Sequence, residues 1–370
     1  MGSSQNISLK EGRMLRIDDL ARYFSGKKVF ITGHTGFKGS WLALLLSEIG
    51  AEVTGFSLPP LTNPSHFDLI NLPSKINHIE GNINDAAFLK ETICEFQPEF
   101  VFHLAAQALV QKSYEDASST FEINIMGSIN LLEAVRSCAS IRSLIYVTSD
   151  KCYENTEWIW GYREIDKLGG HDPYSASKAA AEIVFSSYQA SFFNERTNLG
   201  AASTRAGNVI GGGDWAENRI IPDCIRAIEK QEPIILRNPE ATRPWQHVLE
   251  PISGYLSLAI KLYEEPKKWS GAWNFGPSTH EVKTVLDLAH SITKLIGKGS
   301  IEIEKAHSKK HEANLLQLNC DKAHQKLGWN QRWKADRCIE ATALWYKQVL
   351  NGNNTEKISL DQIYEYFQEN

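Results

Sequence analysis

Lys28-Val29-Phe30-Ile31-Thr32-Gly33-His34-Thr35-Gly36-Phe37-Lys38-Gly39-Ser40-Trp41 reads as a buried strand, a glycine-rich turn and the start of an apolar helix that continues through Leu46. The glycines Gly33, Gly36 and Gly39 follow a G-x-x-G-x-x-G spacing. Glycine takes positive φ without steric cost, and its missing Cβ lets a ligand approach the backbone closely. Such a turn aims free N–H groups and the positive end of a helix dipole at a diphosphate. With a strand before it and a helix after it, the stretch reads as a dinucleotide site rather than a plain βα turn. Thr35, Phe37 and Lys38 join the three glycines as expected cofactor contacts.

Outward from that turn, strand and helix patterns alternate. Strands are expected at 51–56, 77–80, 99–104, 143–148 and 199–204, and helices at 85–96, 114–139 and 174–193. Alternation of this kind implies an α/β fold, a Rossmann-type doubly wound parallel sheet with right-handed crossovers. Ligands in such folds sit beyond the carboxyl ends of the strands. The chemistry is therefore expected just after Thr32, Phe56, Leu104, Thr148 and Thr204. Residues 25–204 form the expected dinucleotide domain, rejoined by about 246–275. A smaller mixed α/β lobe of 205–245 and 276–365, rich in proline and tryptophan, is expected to cover the site, with 1–24 as an N-terminal extension. A helix is expected over 284–296, and a polar helical tail over 357–370.

The composition, 42% hydrophobic and 22% charged over 370 residues, is that of an ordinary globular chain. The net charge of −5 comes with no basic block, which argues against a nucleic-acid or lipid surface. No apolar run approaches the roughly 20 residues that span a bilayer. Met1 to Lys10 is polar and reads as no signal peptide. The six cysteines form no C-x-x-C pair and no metal spacing, so they read as buried thiols in a reducing, cytoplasmic compartment, with no metal site.

After the second strand, a Rossmann site for NAD often carries an acid that holds the adenine ribose. Here the position is Ser57, which can bond a ribose hydroxyl without repelling a 2′-phosphate; no arginine lies near it in sequence, and NAD is favoured over NADP. Asn82 and Ile83 after the third strand, and Leu104, Ala105 and Ala106 after the fourth, are expected to line adenine and diphosphate; for Ala105 and Ala106 plain packing is an equal alternative.

Pro173-Tyr174-Ser175-Ala176-Ser177-Lys178 is the second signal. Residues four apart share a helix face. An ammonium beside a phenol favours the phenolate and draws the tyrosine pKa from about 10 towards neutrality. Such a tyrosine takes a hydroxyl proton while hydride leaves the same carbon, and the lysine's other donors can hold a nicotinamide ribose.

With these motifs in place, the chain resembles the extended short-chain dehydrogenase/reductases of the nucleotide-sugar (epimerase/dehydratase) type. The resemblance rests on Thr32 to Gly39, His103-Leu104-Ala105-Ala106-Gln107, Asn124-Ile125-Met126-Gly127, Tyr174 with Lys178, and Arg205 to Gly211, spanning about residues 28–290. Gly33 to Trp41, Thr148 to Asn155, Trp160 to Glu164, Gly169 to Tyr174 and Gly207 to Arg219 are most similar to the 4,6-dehydratase branch that acts on CDP-glucose.

That resemblance implies a dehydration with tightly held NAD, regenerated at each turnover, in a pathway to 3,6-dideoxyhexoses of a surface polysaccharide. In the related dTDP-glucose enzymes the end of the fifth strand reads Thr-Asp-Glu; here it reads Ser149-Asp150-Lys151. Ser149 is then expected on the 4-hydroxyl beside Tyr174, Asp150 as acid for the C6 oxygen, and Lys151 as the C5 base once its ammonium has lost its proton. Alternatively, Asp150 and Lys151 form a loop ion pair. Ser113, Asn208, Arg219, Arg243 and His247 (with Trp245 beside it) are the expected substrate contacts. Asn124 is expected to be structural, tying its helix to a neighbouring strand. The family pairs the 114–139 and 174–193 helices across a homodimer as a four-helix bundle. An epimerase needs no acid and base at C5 and C6, and a non-enzymatic NAD sensor tends to lose the tyrosine or lysine that this chain keeps.

Overall fold

The computed structural model describes residues 14–277, 282–304 and 315–368. Met1 to Lys10, read above as lacking a leader, and the last two residues of the tail lie outside them. Seven strands form the central sheet: β1 (Lys28–Thr32), β2 (Glu52–Ser57), β3 (Asn77–Glu80), β4 (Phe100–His103), β5 (Ser143–Val147), β6 (Gly200–Arg205) and β7 (Gly271–Asn274). Their order is β7-β6-β5-β4-β1-β2-β3 and every neighbouring pair is parallel. The winding direction reverses between β1 and β4, which opens a crevice at the carboxyl ends of those two strands.

Period-two alternation decides which side chain enters which core. Val29, Ile31, Phe100, Phe102 and Ile145 enter one apolar cluster. Phe30, Val101, Leu144 and Tyr146 enter the other. Both faces of the sheet are therefore covered by helices. The helix Phe37–Glu48 is buried nearly all round, from Gly39 to Leu46, because it runs under the chain's later half.

Local signals set the helix ends. Asp85 caps Ala86–Phe96 by accepting from Phe88 N at 3.0 Å, and the helix closes at Gln97 in the left-handed region, just before Pro98. Asp172 caps Pro173–Ser191, accepting from Ser175 N at 2.9 Å, with proline at the first helical position. The helix expected over 114–139 instead starts at Val110 and breaks at Asp116, whose side chain caps a new segment Ala117–Phe121; a π-helical turn at Glu122–Gly127 then leads into Ser128–Ser137.

Beyond β6 the chain builds short two-stranded pieces, Val209–Ile210 with Gln246–His247, Thr242–Arg243 with Lys283–Thr284, and Ile234–Leu236 with Ile301–Ile303. It returns to the main sheet as β7 beside β6. The helix Ile17–Phe24 packs inward through Leu20 and Phe24. The tail helix Thr355–Gln368, polar by composition, buries Ile358, Ile363, Tyr366 and Phe367.

Candidate active site

Three glycines meet three different demands in the turn after β1. Gly33 has φ +77°, and a Cβ there would lie 2.6 Å from the backbone nitrogen of Ala105, so the ends of β1 and β4 meet through it. A Cβ on Gly39 would lie 2.2 Å from the carbonyl oxygen of Gly33, so the helix start packs directly on the turn. At Gly36 a Cβ would meet only the Gly33 oxygen, at 3.3 Å, and otherwise project into the cleft. Gly36 is the N-cap of Phe37–Glu48, and no side chain caps that helix. Open backbone donors at a helix start, with a space that a Cβ would fill, fit a dinucleotide diphosphate.

The cleft above this turn has a volume of about 1440 Å³. On the cofactor side it is lined by Gly33, Thr35, Gly36, Phe37, Lys38, Gly39, Ser57, Asn82, Ile83, Leu104, Ala105 and Ala106, every position expected from sequence. Thr35 Oγ1 donates to the carbonyl of Leu58 at 2.9 Å and lies 2.8 Å from Ser57 Oγ, which fixes the hydroxyl at the end of β2. Lys38 is drawn down to about 8, first by burial and then by the Arg219 cation, with Asp150 opposing.

The reaction side is assembled by β5 and the helix Pro173–Ser191. Ser149 caps a short 3₁₀ turn, Asp150–Cys152, and donates to Asp150 Oδ1 at 2.9 Å. Asp150 is 6% exposed, and its carboxylate fills the space where residue 207 has no side chain: a Cβ on Gly207 would lie 1.8 Å from Asp150 Oδ2. No ion pair joins Asp150 to Lys151 among the described residues. Ser149, Asp150, Lys151, Tyr174 and Lys178 all line the same cleft. Burial pushes the Tyr174 phenol up to about 12, while a hydrogen bond with Ser149 pulls it back. This reverses the direction expected from sequence: burial outweighs the Ser149 bond and the Arg219 cation, which pull the other way. Lys178 falls to about 8 through burial, with Glu182 opposing.

Of the residues expected to meet the substrate, Asn208, Arg219, Arg243 and Trp245 line the cleft. Arg219 precedes the helix Ile220–Lys230 and is held by Asp214, Nη1 to Oδ2 at 2.8 Å. Arg243 Nη1 donates to the carbonyl of Thr242 at 2.8 Å. Two expected contacts are corrected. Ser113 is fully buried in the segment Val110–Glu115, donates to the carbonyl of Val110 at 2.7 Å, and does not line the cleft; Lys112 and Tyr114 on either side of it do. His247 is fully buried between the rings of Trp41 and Trp333, at centroid distances of 5.9 and 4.9 Å, and burial holds its imidazole near 3. It is a core residue. Asn124 pairs with the backbone of Gln107 beyond β4 and donates to Ser177 Oγ at 2.8 Å, which ties its helix to the Tyr174 helix.

Sequence reading passed over Trp215 as a ligand contact. It lines the cleft beside Asp214, and its buried indole N–H, like that of Trp245, has no partner among the described residues. The signal was the Gly213-Asp214-Trp215 run, which lies within the Gly207 to Arg219 stretch of the resemblance but was given no contact of its own.

The chain belongs to the GDP-mannose 4,6 dehydratase family, whose pattern it matches over residues 30–342. Within that class it is 46% identical over 348 residues to the CDP-glucose 4,6-dehydratase of Salmonella typhimurium, across 93% of this chain and 97% of that protein. Among solved structures, the Streptomyces venezuelae dTDP-glucose 4,6-dehydratase with NAD and TYD bound shares the fold at a TM-score of 0.74 and 21% identity, covering 89% of this chain and 99% of its own. The Thermus thermophilus UDP-glucose 4-epimerase in complex with NAD aligns at a TM-score of 0.72 and 26% identity, over 86% and 99% of the two chains.

Proposed function

We propose that the chain is an NAD-dependent CDP-glucose 4,6-dehydratase, converting CDP-glucose to CDP-4-keto-6-deoxyglucose and water. The observation that carries the reading is Asp150: a buried carboxylic side chain seated against Gly207 in the cleft that also holds Tyr174, Lys178 and the glycine turn. A 4-epimerase has no use for an acid there. The 46% identity to a CDP-glucose 4,6-dehydratase supports the choice of nucleotide.

The residues of the glycine turn would hold the NAD diphosphate and Ser57 the adenine ribose. NAD supplies a hydride acceptor and donor and, oxidised, a positive charge that favours the Tyr174 phenolate. Tyr174 takes the O4 proton as the C4–H bond breaks, with Ser149 bonding the same oxygen and Lys178 holding the ribose. The resulting 4-ketone acidifies C5–H. Lys151, in its neutral form, removes that proton, while Asp150 protonates the departing C6 oxygen as water. With the hydride that the cofactor would supply at C6, Lys151 returns its proton to C5, and exchange with solvent restores the Tyr174 phenolate and the Asp150 acid. Arg219, Arg243 and Asn208 bind the CDP diphosphate, where a guanidinium offers bidentate charge-assisted bonds. Trp245 and Trp215 lie beside them.

The chain acts as a homodimer through the helices around residues 110–137 and 173–191. Met126 and Ile183, on these helices, are exposed apolar side chains. Sedimentation showing only monomer at micromolar concentration would refute the pairing. The six unpaired thiols suit a cytoplasmic location, and no helix among the described residues is long and apolar enough to cross a membrane.

The decisive test is purified protein with CDP-glucose and no added cofactor, with product followed by mass and by absorbance in alkali. Loss of one water with a 4-keto chromophore and no net NADH is expected. A product of unchanged mass would instead mark an epimerase and overturn the reading.

A further inference from the structure

We propose that Glu182 is a positioning residue of this active site, keeping the Lys178 ammonium charged and in place by means of a buried ion pair with Arg205. Tyr174, Lys178 and Glu182 follow one another at four-residue intervals, so they run down one face of their helix. The first two lie at the cleft, and Glu182 lies one turn deeper.

Glu182 and Arg205 are each 3% exposed. Two charges that deep persist only when paired and hydrogen-bonded; Arg205 Nε has no partner among the described residues, and the pair is held through the two terminal nitrogens. Glu182 accepts from Arg205 Nη2 at 2.7 Å, from Ser203 Oγ at 2.8 Å and from Thr148 Oγ1. These donors come from the ends of β5 and β6, the two strands that deliver Ser149, Asp150 and Gly207. Arg205 in turn donates from Nη1 to Tyr153 OH at 2.7 Å and to the carbonyl of Glu164 at 3.1 Å, and Tyr153 OH donates to Asn274 Oδ1 of β7 at 2.8 Å. The pair therefore clamps the Tyr174 helix in register with three strands and with the turn that carries Asp150.

The charge argument follows from what surrounds Lys178. The groups that interact with it electrostatically are Glu182 on its own helix, Cys152 from the turn after β5, His103 at the end of β4 and Lys38 from the glycine turn; Tyr174 lies one turn away on the same helix. Burial holds the Cys152 thiol well above its usual range and His103 near 3, so both are uncharged at neutral pH. Lys38 is a second cation. Glu182 is thus the carboxylate that opposes the effect of burial on Lys178, and Arg205 keeps it from moving onto the lysine. Without Glu182, Lys178 would lose its proton at a lower pH, and with it the charge that bonds the ribose.

The experiment rests on the dehydratase reading for its kinetic arm. The alkaline limb of kcat/KM against pH is measured for wild type, Glu182→Gln, the charge-balanced Glu182→Gln/Arg205→Met, and Glu182→Asp. Side chains at i and i+4 lie roughly 5–6 Å apart, and a unit charge at that distance in a protein interior moves a pKa by about one to two units. The limb is expected to fall by that amount in both glutamine variants and to return towards wild type in Glu182→Asp. A purely structural role would lower the whole curve without moving its limb. A limb that stays in place in either folded glutamine variant overturns the inference, as does an equal shift in Glu182→Asp. Direct NMR titration of the Lys178 Nζ resonance, assigned with Lys178→Met, reads the same shift without turnover. Absence of wild-type activity on CDP-glucose would therefore sink the dehydratase reading alone.

Discussion

Replacing Gly207 with alanine tests the seat of the proposed acid. The new Cβ would lie 1.8 Å from Asp150 Oδ2 and 2.2 Å from Asp150 Cγ, where contacts under 3.0 Å are essentially never found. The carboxylate must retreat by roughly 1 Å or more. A misplacement of about 1 Å can cost on the order of 10²-fold in rate, inside the roughly 10²- to 10⁴-fold that a positioned acid or base contributes. Gly207 is not among the positive-φ residues, so alanine fits its backbone and the fold is expected to survive. kcat for CDP-glucose should fall about 10²-fold, or about 2.7 kcal/mol of barrier, with KM changed by less than about threefold. Asp150→Asn should lose at least as much, and the double variant little more, since both changes remove one function. Product formation is followed by absorbance in alkali, with thermal melting as the check on folding. A Gly207→Ala enzyme with kcat within about threefold of wild type would refute the reasoning, and so would losses that simply multiply in the double variant.

The glycine turn separates two roles. Gly36→Ala meets only one oxygen, at 3.3 Å, so it should leave melting unchanged while weakening NAD binding by about tenfold or more, measured by calorimetry. Gly39→Ala places a Cβ 2.2 Å from the Gly33 oxygen and 2.8 Å from His34 Cα, both backbone, and should destabilise the fold by about 1–3 kcal/mol in chemical denaturation. Acid sensitivity follows from the buried histidines. Burial holds His66, His103 and His247 near 3, below the ordinary 6.5, so the unfolded chain binds protons that the folded chain refuses. Their contribution is complete above pH 6.5 and is lost as pH falls towards 3, at up to about 1.4 kcal/mol per pH unit for each histidine. Denaturation midpoints that stay level between pH 6.5 and 5 would contradict this, and His247→Gln should flatten the slope by one histidine's share.

The parallel sheet, the glycine turn and the shared placement of Tyr174 and Lys178 at the cleft were legible because each is local: a run of apolar residues, three glycines at fixed spacing, two side chains four apart on one helix. Ser113 was misplaced because the resemblance points to the stretch after the fourth strand without saying which of its neighbouring side chains faces the cleft. Once the chain turns helical at Val110, Ser113 rotates inward and Lys112 and Tyr114 rotate towards the cleft. His247 belongs to a two-residue strand, too short for any periodicity to reveal that its ring faces Trp41 and Trp333. The Glu182–Arg205 pair joins residues 23 apart on different elements, so only packing brings them together. The tail misled by composition: its polar residues hide the apolar stripe of Ile358, Ile363, Tyr366 and Phe367.

The return of the chain as β7 has a consequence for how this protein is made. Between β6 and β7 the ribosome must deliver Asn208, Arg219, Arg243 and Trp245, residues of the other side of the cleft. Until Gly271–Asn274 emerges, β6 has an open side with unpaired N–H and C=O groups, a template for mispairing with another chain. A fragment ending near residue 205, though it would carry the glycine turn, Tyr174 and Lys178, would thus be aggregation-prone, without Asn274 to complete the bonding of Tyr153. The central sheet and the later cleft residues are interleaved along the chain, so neither can be inherited, truncated or grafted as a unit without leaving a sheet edge exposed.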